Sequence, residues 1–127
     1  MNSAINLPDV LDEVRDVFLR YEDALVHNRT EVLDALFWQS DAVVRYGAGE
    51  NLVGIDAIRA FRNARPAGGL ARTLGRTIIT TYGRDFATAM TEFHRSGEPR
   101  IGRQSQTWVR FAEGWKVVAA HVSLIAA

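Results

Sequence analysis

The chain has no cysteine and a single lysine, Lys116. The missing cysteine excludes disulfides, thiolate nucleophiles and cysteine-ligated metals. The near-absence of lysine leaves fourteen of the fifteen basic residues as arginine. Arginine grips a planar carboxylate with two parallel hydrogen bonds, which lysine does not do; a GC-rich codon bias produces the same excess. Net charge is also missing: acidic and basic residues balance at 15 each. No overall field therefore steers the molecule to nucleic acid or to an anionic membrane. No apolar run approaches the ~20 residues of a membrane span. The start, MNSAINLPDV, lacks the basic stretch and apolar core of a signal peptide. A cytoplasmic location is the expectation. Glycine-rich phosphate loops, GxSxG elbows and HExxH motifs are absent as well. The three histidines, His27, His94 and His121, have no ligand spacing, so neither a metal site nor a cofactor is expected. No paired-carboxylate site can be argued. Asp12, Glu13, Asp16, Glu22 and Asp23 read as solvated charges on the outer side of a helix, and Glu92 and Glu98 are isolated.

What is present fits one domain over residues 1–127, since 47% apolar and 24% charged residues are an ordinary globular balance. In Val10 to Asn28, apolar residues fall at Val10, Val14, Val17, Phe18, Tyr21 and Leu25. That spacing makes one stripe on a helix. Asn6 can cap it, Pro8 suits its first turn and Asn28 a left-handed stop. Thr30 caps a second helix, Glu31 to Phe37; a short strand, Ala42 to Tyr46, precedes a turn at Gly47 to Asn51; a third helix runs from Ile55 to Arg62. After the Arg65–Gly69 loop the texture becomes β-branched and aromatic. Strands are predicted at Thr73–Tyr82, Ala87–Arg95, Arg103–Phe111 and Trp115–Ile125, separated by hairpin-length breaks. Three helices followed by a four-strand meander predict an α+β fold with helices on one face of a curved antiparallel sheet.

This order, with Gly114-Trp115-Lys116-Val117-Val118 leading to His121-Val122-Ser123, resembles the cone-shaped NTF2-like (SnoaL-like) superfamily. Six blocks in order resemble its small AtzH/HpxZ family: Phe18–Glu22, Leu36–Trp38, Val44–Gly47, Ala60–Pro66, Thr80–Asp85 and Gly102–Trp108. The resemblance covers essentially the whole chain. It implies a setting beside amidohydrolases of ureide or cyanuric acid breakdown. For the AtzH branch it implies a decarboxylating amidohydrolase turning 1,3-dicarboxyurea into allophanate. For the HpxZ branch it implies oxalurate catabolism.

Within that frame the first helix closes the open end of the cone and Tyr21 points its hydroxyl into the pocket; by spacing alone Tyr21 reads first as a core tyrosine whose hydroxyl meets a backbone carbonyl. In Ala42–Tyr46, alternation puts Val43 and Arg45 on one face and Val44 and Tyr46 on the other. It does not say which face is inner. The family block and the chemistry favour Arg45 inside, because a dianionic urea that loses water needs fixed guanidinium partners. Arg62, Arg65, Arg72, Arg76 and Arg103 are further basic candidates, mostly surface charges. Arg72, alternating with Leu70 and Leu74, is the choice for a second carboxylate clamp. His121 and Ser123 share a strand face with Trp115, Val117 and Ala119, so His121 is expected inside, as a substrate donor or a satisfied core histidine. Ser105, aligned with Thr107, Val109 and Phe111, is expected to face the pocket. Gln104, Gln106 and Trp108 then face outward, with Trp108 beside Met90 serving a homodimer or higher homo-oligomer contact through the sheet.

The leading expectation is a cofactor-free enzyme cleaving an N-carboxylated urea. Tyr21 is its general acid/base, Arg45 orients a carboxylate, and Arg72, Ser105 and His121 bind substrate. The alternative is a non-catalytic module that partners an amidohydrolase of oxalurate catabolism. A third reading, a SnoaL-like isomerase or cyclase for a large apolar substrate, wants a roomy neutral pocket.

Overall fold

A computed structural model describes residues 4–127. The elements run α1 (Pro8–Val26), α2 (Thr30–Leu36), β1 (Val44–Tyr46), β2 (Asn51–Val53), α3 (Ile55–Ala64), β3 (Thr73–Tyr82), β4 (Phe86–His94), β5 (Ile101–Phe111) and β6 (Gly114–Ile125). The six strands form one sheet in the order β2-β1-β6-β5-β4-β3. The fold is α+β, three helices on one face of a curved sheet. Two details differ from the sequence reading. The turn after β1 closes a hairpin with β2, a strand too short to carry a period-2 signal. And β1 runs parallel to β6, so the sheet is not wholly antiparallel.

The α1 stripe packs as its spacing requires. Val10, Val14, Phe18, Tyr21 and Leu25 are all buried in the main core. Burial of each large member is worth ~1.5–3 kcal/mol, enough for tertiary packing rather than capping to hold the helix. The caps indeed differ from those expected. Leu7, not Asn6, is the residue before α1, and neither α1 nor α2 has a side-chain cap; Thr30 is inside α2. Asn6 instead adopts a left-handed backbone and bonds β3: its N–H donates to the Thr81 carbonyl at 3.0 Å, and its Oδ1 accepts from the Thr81 N–H at 2.9 Å. It thereby ties the start of α1 to the sheet edge. Asn28 is left-handed, as expected at a helix stop. Among the described residues, no helix is long and apolar enough to cross a membrane.

The inner face of the sheet is set by register. One rung joins Ile79, Ala89, Gln106, Ala120, Arg45 and Leu52; the next joins Thr91, Gln104 and Val122. Ala87, Ala89 and Ala120 are buried, so the floor between the larger side chains is low. The outer face carries the rung Ile78, Met90, Ser105, His121 and Tyr46. Along β6 the pairing slips: Thr107 opposes Ala119 but Trp108 opposes Val117. Val118 is therefore an extra residue, a β-bulge that reverses which side chains point inward. Trp115 and Val117 face in before it, and Ala120, Val122 and Leu124 after it.

Candidate functional site

Tyr21 is delivered by α1 and is 3% exposed. Its ring meets Trp108 edge-on at 6.4 Å and Phe37 at 6.1 Å. The hydroxyl has no hydrogen-bond partner among the described residues. Arg45 points to the same side of the sheet, since its rung partner Ala120 is buried. Two strand spacings, ~10 Å, separate its backbone from that of Gln106 on the same rung. The Arg45 guanidinium lies 5.6 Å from the Phe61 ring centre and donates to Glu50 Oε2 at 2.8 Å.

More cations converge here than the sequence reading assigned. Arg65, just past the end of α3, makes no ion pair among the described residues, and its Nε and Nη2 are buried without partners. Burial, and then Arg62, push its guanidinium below the ordinary value; a Tyr21 phenolate works the other way, and Arg45 and Arg95 add to the depression. Arg95, just past β4, behaves alike. Burial first, then Arg72 and Arg45, push it down, while Glu22 and Glu98 oppose. Its Nε is also buried and unpaired, and its guanidinium lies 5.1 Å from the Phe93 ring centre. Arg65 thus feels Tyr21, Arg45 and Arg95, and Arg95 feels Arg45, on the inner side of the sheet.

Arg72 is inside too, but differently employed. Its side chain is 1% exposed. Its Nε donates to Glu22 Oε2 at 3.1 Å, its Nη2 donates to Glu22 Oε1, and Nη2 also reaches Gln104 Oε1 at 3.0 Å. Glu22, read from sequence as a solvated charge, is thus a buried counter-ion that occupies Arg72. Arg62 is likewise taken, by Asp34 at 2.8 Å and by the Phe37 ring. Arg76 and Arg103 are exposed.

Two expected pocket residues lie elsewhere. His121 is exposed on the outer face, in edge contact with Tyr46 at 6.1 Å, because the bulge at Val118 reverses the alternation counted from Trp115. Ser105 pairs with Met90 and His121 and shares that outer face. Conversely Gln104, Gln106 and Trp108, expected outside, are 4%, 1% and 0% exposed. Trp108 therefore does not sit beside Met90, which is 48% exposed on the opposite side. The outward placement of the glutamines rested on their polarity. Their common parity with Trp108 was the signal for the inner face, and Arg95 shared the parity of Phe93.

Several surface concavities lie away from this cluster. One of about 550 Å³, on the solvent side of α1 and α2, is lined by Asp16, Leu19, Arg20 and Arg29. It lacks the unpaired buried donors of the arginine cluster. Among the described residues no three His, Asp or Glu side chains are grouped to hold a metal ion.

The AtzH-like family model matches residues 3–127. The chain belongs to the AtzH-like family. Its relatives of known structure agree. A protein of unknown function from Pectobacterium atrosepticum is 58% identical with a TM-score of 0.97, covering 99% of this chain and 98% of that one. A cystatin-like fold protein from Burkholderia xenovorans is 50% identical with a TM-score of 0.93, covering 97% of each. An NTF2-like protein from Novosphingobium aromaticivorans, 23% identical with a TM-score of 0.71 over 94% and 84% of the two chains, shares the fold. A comparison with curated proteins finds no match. For this AtzH-like chain the fold is accordingly the NTF2-like cone, with the arginine cluster between α1 and the sheet.

Proposed function

We propose that the protein is a cofactor-free decarboxylating amidohydrolase that converts 1,3-dicarboxyurea to allophanate. One observation carries this reading: Arg65, close enough to feel the Tyr21 phenol, and Arg95, which feels Arg45, both hold buried guanidinium nitrogens without partners. Buried cations without counter-ions are costly in a free protein. A small dianion supplies what they lack, and two carboxylates answer two unpaired arginines.

In the proposed reaction Arg65 and Arg95 hold the substrate carboxylates and Arg45 orients the one that departs. The bond between that carboxyl carbon and the urea nitrogen breaks. Its electron pair goes to nitrogen, which takes the Tyr21 hydroxyl proton, and CO2 and allophanate result. The Tyr21 phenolate, held by Arg65 and Arg45, regains a proton from water. The oxidation state of every atom is unchanged, which is consistent with chemistry that needs no cofactor. If water attacks the carboxyl carbon instead, the same pair activates it and steadies the oxyanion.

Turnover of 1,3-dicarboxyurea generated in place tests the assignment. Tyr21→Phe and Arg45→Ala are expected to fold and to lose at least a hundredfold in rate. Near-wild-type turnover by either variant removes that residue from the mechanism. No turnover by the wild type, together with a stable complex with an amidohydrolase, would favour the binding-module reading. We further propose that a second copy packs on the outer sheet face, where Tyr46, Ile78 and Met90 are exposed along one rung. Light scattering on Met90→Lys checks it, a shift to monomer being expected.

A further inference from the structure

Gln104 and Gln106 stand on the inner face of β5, two residues apart, where a core strand ordinarily carries apolar side chains. Their amide orientations are fixed by chemistry. Gln106 Oε1 accepts from Trp108 Nε1 at 3.1 Å, and Gln104 Oε1 accepts from Arg72 Nη2 at 3.0 Å. Indole and guanidinium groups only donate, so neither amide can be flipped without losing its bond. Each glutamine therefore turns an NH2 group away from its partner. Both Nε2 atoms are buried and have no acceptor. The unpaired buried atoms among the described residues are mostly of this kind: Nη2 of Arg62, Nε and Nη2 of Arg65, Nε of Arg95 and the two amides all donate. The exceptions are Oδ1 of Asn28, at the end of α1, and the Thr81 hydroxyl.

Buried donors without acceptors are each destabilising, so a folded protein retains them where a ligand completes them. The arginines account for charged oxygens. The amides, neutral and placed on the rung of Arg45 and the rung beside it, suit an uncharged oxygen between them. We infer that Gln104 and Gln106 bind the central carbonyl oxygen of a short dicarboxylate, and so select ligands built as carboxylate–carbonyl–carboxylate. This rests on the dianion reading above. It adds that the site discriminates by a neutral group.

Two probes of equal length isolate that feature. Acetone-1,3-dicarboxylate carries the central carbonyl and glutarate does not. By titration calorimetry on the full chain at low temperature, with freshly dissolved ligand, the wild type is expected to bind the oxo compound about tenfold more tightly, the effect of two neutral hydrogen bonds. Gln104→Met and Gln106→Met are each expected to reduce that ratio while leaving glutarate affinity unchanged. Equal binding of both probes by the wild type overturns the role of the amides and leaves the dianion site standing; this comparison holds even if a variant fails to fold. A parallel loss of both ligands in the folded variants also overturns it, as a structural effect. Binding of neither probe overturns the dianion reading together with this one.

Discussion

Glu50 folds back across Gly47 and ion-pairs with Arg45 at 2.8 Å, so a carboxylate of the protein already occupies the arginine assigned to substrate. The two side chains are 14% and 25% exposed. Glu50 thus competes with an incoming anion for a partly buried cation. Glu50→Gln is expected to tighten dicarboxylate binding about fivefold, the worth of one such pair at ~1 kcal/mol. Gly47→Ala should act in the same direction. A Cβ there would lie 1.7 Å from Glu50 Oε2, and the displaced group is the flexible end of a side chain, so the fold should survive. Weaker binding in both variants would mean that Glu50 positions Arg45 rather than blocks it.

Arg65 opposes folding as long as its site is empty. Its guanidinium is pushed down by burial and then by Arg62, so its charged form is less favourable in the folded than in the unfolded chain. At neutral pH, where the guanidinium is charged in both the folded and the unfolded chain, that penalty is fully present. Arg65→Met is expected to raise stability on the order of 1 kcal/mol, a few degrees in Tm, and to abolish the Tm rise that a dicarboxylate gives the wild type. Scanning calorimetry with and without glutarate measures both. A lower Tm in the variant would contradict the account.

Arg72 should behave in the opposite way. Its removal in Arg72→Leu leaves the buried Glu22 carboxylate without a counter-ion, at ~3–5 kcal/mol. The double variant Glu22→Gln with Arg72→Leu should recover much of that loss. Urea denaturation of the three proteins measures the coupling; a mild effect of the single change would return Arg72 to the list of free clamps.

Phe93 rests against the Gly102 backbone and supports two guanidinium groups, Arg72 at 4.3 Å and Arg95 at 5.1 Å. A Cβ at Gly102 would lie 2.2 Å from the ring. Gly102→Ala is expected to cost ~1–3 kcal/mol and to weaken dicarboxylate binding by moving Arg95. Adding Phe93→Leu should restore stability but not binding. Full binding in Gly102→Ala would show that Arg95 does not depend on this ring.

The helices and the four-strand meander were legible because their signals are local: the stripe from Val10 to Leu25 is set by spacing within one helix. The inward aim of Arg45 needed more than period 2, which leaves the choice of face open. The faces of β5 and β6 were misread for separate reasons. On β6 a single inserted residue, Val118, reversed the parity that His121 and Ser123 had been assigned by counting from Trp115. On β5 two glutamines took core positions, against the hydrophobic rule that pointed to Ser105. Departures of that kind collect where a protein binds something. The pairing of Glu22 with Arg72 lies 50 residues apart in sequence, and no spacing rule reaches it.

The three alanines of the floor, Ala87, Ala89 and Ala120, have a consequence for divergence. They add no hydrogen-bonding group to the site; they only set how deep it is. A single base change turns an alanine codon into a valine codon. If the cluster binds the proposed dianion, a lineage can therefore shorten or lengthen the anion accepted in methyl-sized steps, without disturbing the cations above. Substrate size and charge recognition are separately heritable in such a cone.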